Sequence, residues 1–193
     1  VDVWGNLLTS DVLRNYQILI LPDIEIGFVE EEITAVKQFI KSGGSLLILG
    51  SFYPAFDVDA INEITQSFGI TFTKNNIEVS KDFGITRRII SILYANFTEK
   101  HPLTENITRM MWLTGVALDI DRNKAQGLAF IGNYCVFGIY DGQAKSSAGR
   151  IVAMGTERVF YDDMLDDEHI TLLRNIIRWL LEATSKDVII IPE

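Results

Sequence analysis

The chain has 193 residues, 48% of them hydrophobic, which suits one domain with a sizeable core. Its 17 cations against 26 acids leave a net charge of −9 and a pI near 4.7. That balance opposes a phosphate-tracking nucleic-acid role and adsorption to anionic lipid, because there is no excess cation to release counterions. A single cysteine excludes an internal disulfide framework and a cysteine-rich metal cluster. No stretch approaches the roughly twenty apolar residues of a membrane span, so no direct membrane insertion by this segment is expected.

The first strong element is the unbroken apolar run Ile18-Leu19-Ile20-Leu21, closed by Pro22, which predicts a strand covered on both faces. Phe28 to Ser42 predicts an amphipathic helix, with Val29, Ile33, Val36 and Ile40 forming one stripe. Glu30, Glu31 and Glu32 in its first turn and Lys41 near its end suit the helix dipole, and Gly43-Gly44 supplies a left-handed stop. Ser45 to Leu49 follows as a second buried strand, so this stretch is a βαβ unit.

Asp57 caps a predicted second helix that runs to about Phe68, with Gly69 closing it. Ile70-Thr71-Phe72 predicts a short strand, and Asn75-Asn76 a turn. Glu78 to Glu105 is irregular; within it Arg87 to Tyr94 fits strand or helix, and Lys100-His101-Pro102 fits a loop. Met110–Asp119, Leu128–Ile131 and Cys135–Tyr140 predict strands, the last two joined by a Gly132-Asn133 hairpin turn. Asp141 to Gly149 is a polar loop before a buried strand at Arg150–Met154. The last helix spans about Asp167 to Ala183. The apolar tail Val188–Ile191 predicts an edge strand or a contact with something outside the chain. No repeat or linker composition divides the sequence, so one domain over residues 1–193 is expected.

Five segments, in this order, carry a resemblance. Asn15-Tyr16-Gln17-Ile18-Leu19-Ile20-Leu21-Pro22 is similar to a "yDvLilP" strand, and Gly43-Gly44-Ser45-Leu46-Leu47-Ile48-Leu49-Gly50 to a "GGsLlilg" element. His101-Pro102-Leu103-Thr104 with Ile107 resembles an "HPiT" loop, Gly149 to Gly155 a "GrvvvvGd" strand, and Asn175 to Leu180 an "NlirWL" helix. The sequence thereby resembles the class I glutamine-amidotransferase-like superfamily. More narrowly, it resembles the GIFT-type branch found in gliding-motility and intraflagellar-transport proteins. The resemblance implies an α/β, three-layer, flavodoxin-like fold: a mostly parallel central sheet with flanking helices and some antiparallel strands in the C-terminal half. It also implies a strand and helix before the "yDvLilP" element. Only Val1 to Arg14 precede it here, so that unit is expected outside this chain, which would be part of a longer protein.

Catalytic members of that superfamily place a cysteine on a sharp turn after the "GGsLlilg" strand. Here Ser51 stands nearest, and bulky Leu49, Tyr53 and Pro54 argue against a tight elbow. Spacing leaves open a triad of Ser51, His101 and an acid, since triads are assembled in space. His169, the other histidine, lies in the last helix. Asp162, Asp163, Asp166, Asp167 and Glu168 read as helix caps rather than a metal site, and Cys135 reads as core. No cofactor or metal signature occurs, and no glycine-rich phosphate loop. The rule that ligands bind beyond the carboxyl ends of parallel strands gathers Asp23, Ser51, Phe52, Tyr53, Thr156 and Glu157 as a candidate ligand cleft. Asn96-Phe97-Thr98 and Asn106-Ile107-Thr108 have the glycosylation triplet, which matters only on export.

The leading expectation is a non-catalytic binding or scaffolding domain, partnered by another protein or by the rest of its own polypeptide. The alternatives are a hydrolase or amidotransferase-like enzyme with Ser51 as nucleophile and His101 as base, and a carbohydrate- or small-ligand-binding domain.

Overall fold

The two apolar runs at residues 18–21 and 45–49 lie side by side as parallel strands in the computed structural model, which describes residues 2–3, 5–77, 93–97, 100–146, 148–162, 165–182 and 187–190. A two-residue strand β1 (Asp2–Val3) and a one-turn helix α1 (Ser10–Leu13) precede β2 (Tyr16–Pro22). Helix α2 (Glu30–Lys41) crosses from β2 to β3 (Ser45–Leu49) and buries Ile33, Val36 and Ile40. Val29, predicted on that stripe, is instead the N-cap and stands 48% exposed. Valine has no side-chain acceptor for the cap, so the Glu32 carboxylate closes the helix end, accepting the N–H of Val29 at 3.1 Å and of Leu8 at 3.0 Å. Helix α3 (Val58–Thr65) starts as predicted, with Asp57 Oδ1 accepting the Ala60 N–H at 3.0 Å.

Strand β4 (Ile70–Asn76) runs through the predicted Asn75-Asn76 turn. The Asn76 side-chain amide pairs with both backbone groups of Tyr53, at 2.9 and 2.8 Å, so it acts as a surrogate strand neighbour. Residues 87–92 of the segment read as strand or helix lie outside the described residues, and β5 (Leu93–Phe97) follows. The predicted strand at 110–119 is two strands, β6 (Arg109–Trp112) and β7 (Val116–Ile120). The break falls at Gly115, where a Cβ would overlap the Gly155 carbonyl and sit 2.8 Å from Thr156 Cβ. That close approach lets Val116 N–H reach Gly155 O at 2.8 Å. The β8 (Gln126–Ile131) and β9 (Tyr134–Asp141) hairpin turns through Gly132 at φ +57°. A one-turn helix α4 (Gln143–Ser146), β10 (Arg150–Met154), α5 (Asp167–Leu181) and β11 (Asp187–Ile190) complete the chain.

The sheet order is β1-β11-β2-β3-β10-β9-β8-β5-β6, with β7 also on β9 and β4 on β7. Strands β1, β11, β2, β3 and β10 are mutually parallel, and every other pairing is antiparallel. The α/β class therefore holds, but the predicted mostly parallel sheet does not: the sheet is mixed. The reason lies in the connections. Parallel neighbours need a crossover, usually helical, and between Ile70 and Asp141 the described residues form no α-helix. The apolar tail is corrected too. Strand β11 lies inside the sheet between β1 and β2, so it is not an edge strand.

Alternating side chains of the parallel strands feed two cores. Leu19, Leu21, Leu46 and Ile48 face α2 and α3, whereas Ile18, Ile20, Leu47 and Leu49 face α5, Trp112 and Phe137. Cys135 belongs to the first core, and burial pushes its thiol up to about 11.

Candidate functional site

The carboxyl ends of β2, β3 and β10 are tied together by main-chain bonds: Asp23 N–H to Leu49 O at 2.9 Å and Gly50 N–H to Met154 O at 2.8 Å. Asp23, Ser51 and Thr156-Glu157 therefore leave adjacent strand ends, as the strand-end rule predicts. They are not equally presented. Ser51 and Tyr53 are half-buried and Phe52 is at the surface, with Lys74 Nζ 5.6 Å from the Tyr53 ring centroid. Thr156 is fully buried, and its hydroxyl accepts the Arg158 N–H at 3.2 Å to start a short 3-10 turn.

Glu157 is only 4% exposed. One carboxylate oxygen lies 3.9 Å from the exposed Arg158 guanidinium, and the other has no hydrogen-bond partner among the described residues. Burial raises its pKa, and the neighbouring Asp23 charge raises it further, which outweighs hydrogen bonding from its own backbone and Tyr161. The buried Thr114 hydroxyl, also unpartnered among the described residues, precedes the Gly115 that abuts Thr156. Thr114 was not predicted here; its sequence signal is the Thr-Gly breaker inside an apparent strand.

A raised folded-state pKa means that the folded protein holds the Glu157 proton after the unfolded chain has released it. Stability from this group is thus present below the ordinary value of 4.5 and is lost as pH rises through the folded value. Glu157→Gln is expected to be more resistant to urea than the parent at pH 8, with the difference shrinking toward pH 4. Parallel urea titrations at the two pH values check this; a pH-independent difference would refute it.

The histidines are committed elsewhere. His101 caps the Pro102–Thr104 turn: its Nδ1 accepts the Leu103 N–H at 3.2 Å, and its ring meets Trp179 edge-on at 5.4 Å. His169 is buried, with Nε2 accepting the Met111 N–H at 3.2 Å and Nδ1 3.2 Å from Asp166. Trp179 lies at the end of α5 where Ser45 Oγ donates to Leu180 O at 3.0 Å. Ser45 opens β3 and Ser51 follows its end. At about 3.3 Å per residue, β3 from Ser45 to Leu49 spans roughly 13 Å; Ser51 lies two residues past its far end, whereas His101 packs on Trp179 beside its near end. The structure does not bring these two residues together.

It does bring together the motif segments. Arg150 stacks on Trp179, its guanidinium carbon 4.4 Å from the ring centroid, while Nη1 donates to Trp179 O and Nε lies 3.2 Å from Asp141. The Arg150 N–H reaches Ser45 Oγ at 3.3 Å. Asn175 Nδ2 donates to Leu103 O at 3.3 Å and Glu105 O at 2.9 Å, locking the His101–Thr104 turn onto α5. Four of the five segments thus meet in one clamp.

One member of the acidic cluster is a helix cap, and another ties α5 to Thr108 and Arg109. Asp166 Oδ1 accepts the His169 N–H at 2.8 Å to start α5. The Glu168 carboxylate accepts N–H groups of Thr108 and Arg109 and the Thr108 hydroxyl. Burial alone would raise Glu168, but these hydrogen bonds hold it below its usual range. Among the described residues no group of three His, Cys, Asp or Glu side chains is placed to hold a metal. Asp163 and Thr98 lie outside the described residues.

No protein-family model and no curated protein matches the sequence. Solved structures do. The mmIFT52 N-terminal domain is 18% identical with a TM-score of 0.76, over 94% of this chain and 84% of that one. The cytoplasmic protein STM3548 from Salmonella typhimurium is 14% identical with a TM-score of 0.67, over 91% of this chain and 76% of that one. A beta-galactosidase from Rahnella sp. R3 is 11% identical with a TM-score of 0.55, and there 84% of this chain spans only 22% of the other. At these identities the likeness is one of fold, and it supports a GIFT-like α/β domain of the kind seen in mmIFT52.

Proposed function

We propose that this chain is a non-catalytic binding or scaffolding domain of a larger protein or assembly, from the GIFT-type branch of the amidotransferase-like superfamily. The observation that carries the reading is the use of His101, the base that a serine hydrolase of this type would need, as a cap: its Nδ1 accepts the Leu103 N–H at 3.2 Å and its ring packs on Trp179, at the end of α5 that meets Ser45 rather than Ser51. The use of motif side chains in the α5 clamp supports it, as does the recurrence of this fold as a named domain of mmIFT52. A turnover assay on ester, amide and glutamine substrates tests it. No turnover above that of Ser51→Ala is expected; activity that disappears in Ser51→Ala would refute the reading in favour of the hydrolase.

A second reading, binding of a carbohydrate or another small ligand by Asp23, Ser51, Tyr53, Thr156 and Glu157, is favoured by the convergence of Asp23 and the buried Glu157 at the strand ends. Calorimetry against a carbohydrate panel distinguishes it: saturable heat lost in Asp23→Asn would support a ligand cleft, and flat titrations would count against it.

A further inference from the structure

The inner face of α5 is spent on the core through Leu172, Ile176, Trp179 and Leu180. Its outer face carries a second apolar row, Ile170, Leu173, Ile177 and Leu181, spaced by three, four and four residues. Ile170 is 44% exposed; the other three are half-buried, with Ile177 and Leu181 also packing against the edge of the second core. The apolar surface of α5 thus continues past the core to a solvent-facing edge. Here the row lines a shallow groove of about 760 Å³, flanked by Arg174, Arg178 and Glu182.

Charge decides what fits this groove. Glu182 lies 3.7 Å from Arg150, toward the clamp. Arg174 and Arg178, one turn apart along one flank, have no carboxylate within ion-pair reach among the described residues. The flank is thus locally cationic in a chain of net charge −9. A second copy paired antiparallel fits poorly: pairing about the middle of the row sets Arg174 near the other copy's Arg178, and like charges meet, which is destabilising. A twelve-residue row at helical spacing, about 17 Å long at 1.5 Å per residue, matches a helical occupant of about three turns.

We propose that the outer face of α5 docks an amphipathic helix of a partner protein whose apolar stripe is flanked by carboxylates. This rests on the scaffolding reading and names the surface by which such a domain would hold its partner.

The test uses the full chain and two synthetic helical peptides of about four turns, both with leucine at the seam positions. One has glutamate along the flanks and the other lysine. Fluorescence anisotropy is expected to show the glutamate peptide binding more tightly. The double variant Arg174→Glu/Arg178→Glu should weaken it by at least about tenfold, or 1.4 kcal/mol, and should reverse the preference toward the lysine peptide. Ile177→Asp should weaken both. If that variant loses its native circular dichroism, the arginine pair, which is exposed, carries the test alone. Failure of the glutamate peptide to bind, or equal binding of it by parent and double variant, would overturn the proposal. So would a dimer seen by sedimentation that Ile177→Asp dissolves, which would assign the face to a second copy. Serine-dependent turnover would refute the scaffolding reading yet leave the charge-swap result intact, so the two failures can be told apart.

Discussion

Gly149→Val is expected to abolish stable folding. Gly149 opens β10, and its N–H donates to Ile40 O at 2.7 Å. A Cβ at this position would overlap the Gly44 carbonyl and lie 3.0 Å from the Gly43 carbonyl carbon. All of these are backbone atoms, so no side-chain rotation relieves the clash. The only relief is to part β10 from the loop that starts β3, which would break the parallel pairing of Ile151 with Leu46 and the residues after it. A loss above about 4 kcal/mol is expected, against a total of about 5–15 kcal/mol for an ordinary domain. Soluble yield and thermal unfolding followed by circular dichroism check it. Gly132→Asn is the control, because Gly132 has nothing within 4 Å of a Cβ and asparagine tolerates its φ of +57°. It should melt close to the parent.

Trp179→Ala is expected to cost about 3–5 kcal/mol, the range for removing a buried aromatic side chain. The indole is 3% exposed and contacts the second core, the Arg150 guanidinium and the His101 ring. Its loss opens a cavity and leaves Arg150, whose side chain is 14% exposed, without its stacking partner. Trp179→Phe keeps an aromatic face and should recover part of the loss. Urea unfolding of the three proteins measures this; equal stability of the alanine variant and the parent would remove the clamp from the account.

The local half of this architecture was legible in the sequence. Continuous apolar runs, the Asp57 cap, the Gly43-Gly44 stop and the α5 stripe each leave their mark within a few residues, and β2, α2, β3, α3 and α5 formed where those marks lie. What was not legible depended on neighbours distant in sequence. Gly115 breaks the strand because the Gly155 carbonyl packs against it, a contact forty residues away in sequence. The antiparallel pairing of β6 to β9 goes with the absence of a helical crossover among the described residues between them, which motif order does not report. The site shows the same division. The strand-end rule gathered Asp23, Ser51 and Glu157, because it needs only topology. The same rule placed Thr156 on the cleft, yet it is buried, and its hydroxyl accepts the Arg158 N–H. The gap between Ser51 and His101 is set by which end of α5 the His101 turn is clamped to, and no spacing along the chain encodes that.

Ser45, His101, Arg150, Asn175 and Trp179 of the motif segments hold the frame together. The unfolding free energy of His101→Ala in urea tests this role most directly. If His101 is the cap that accepts the Leu103 N–H, stability should fall by about 1 kcal/mol, as for other lost caps, with the m-value unchanged. Stability equal to the parent's would show that the imidazole has no structural task, and would contradict the account.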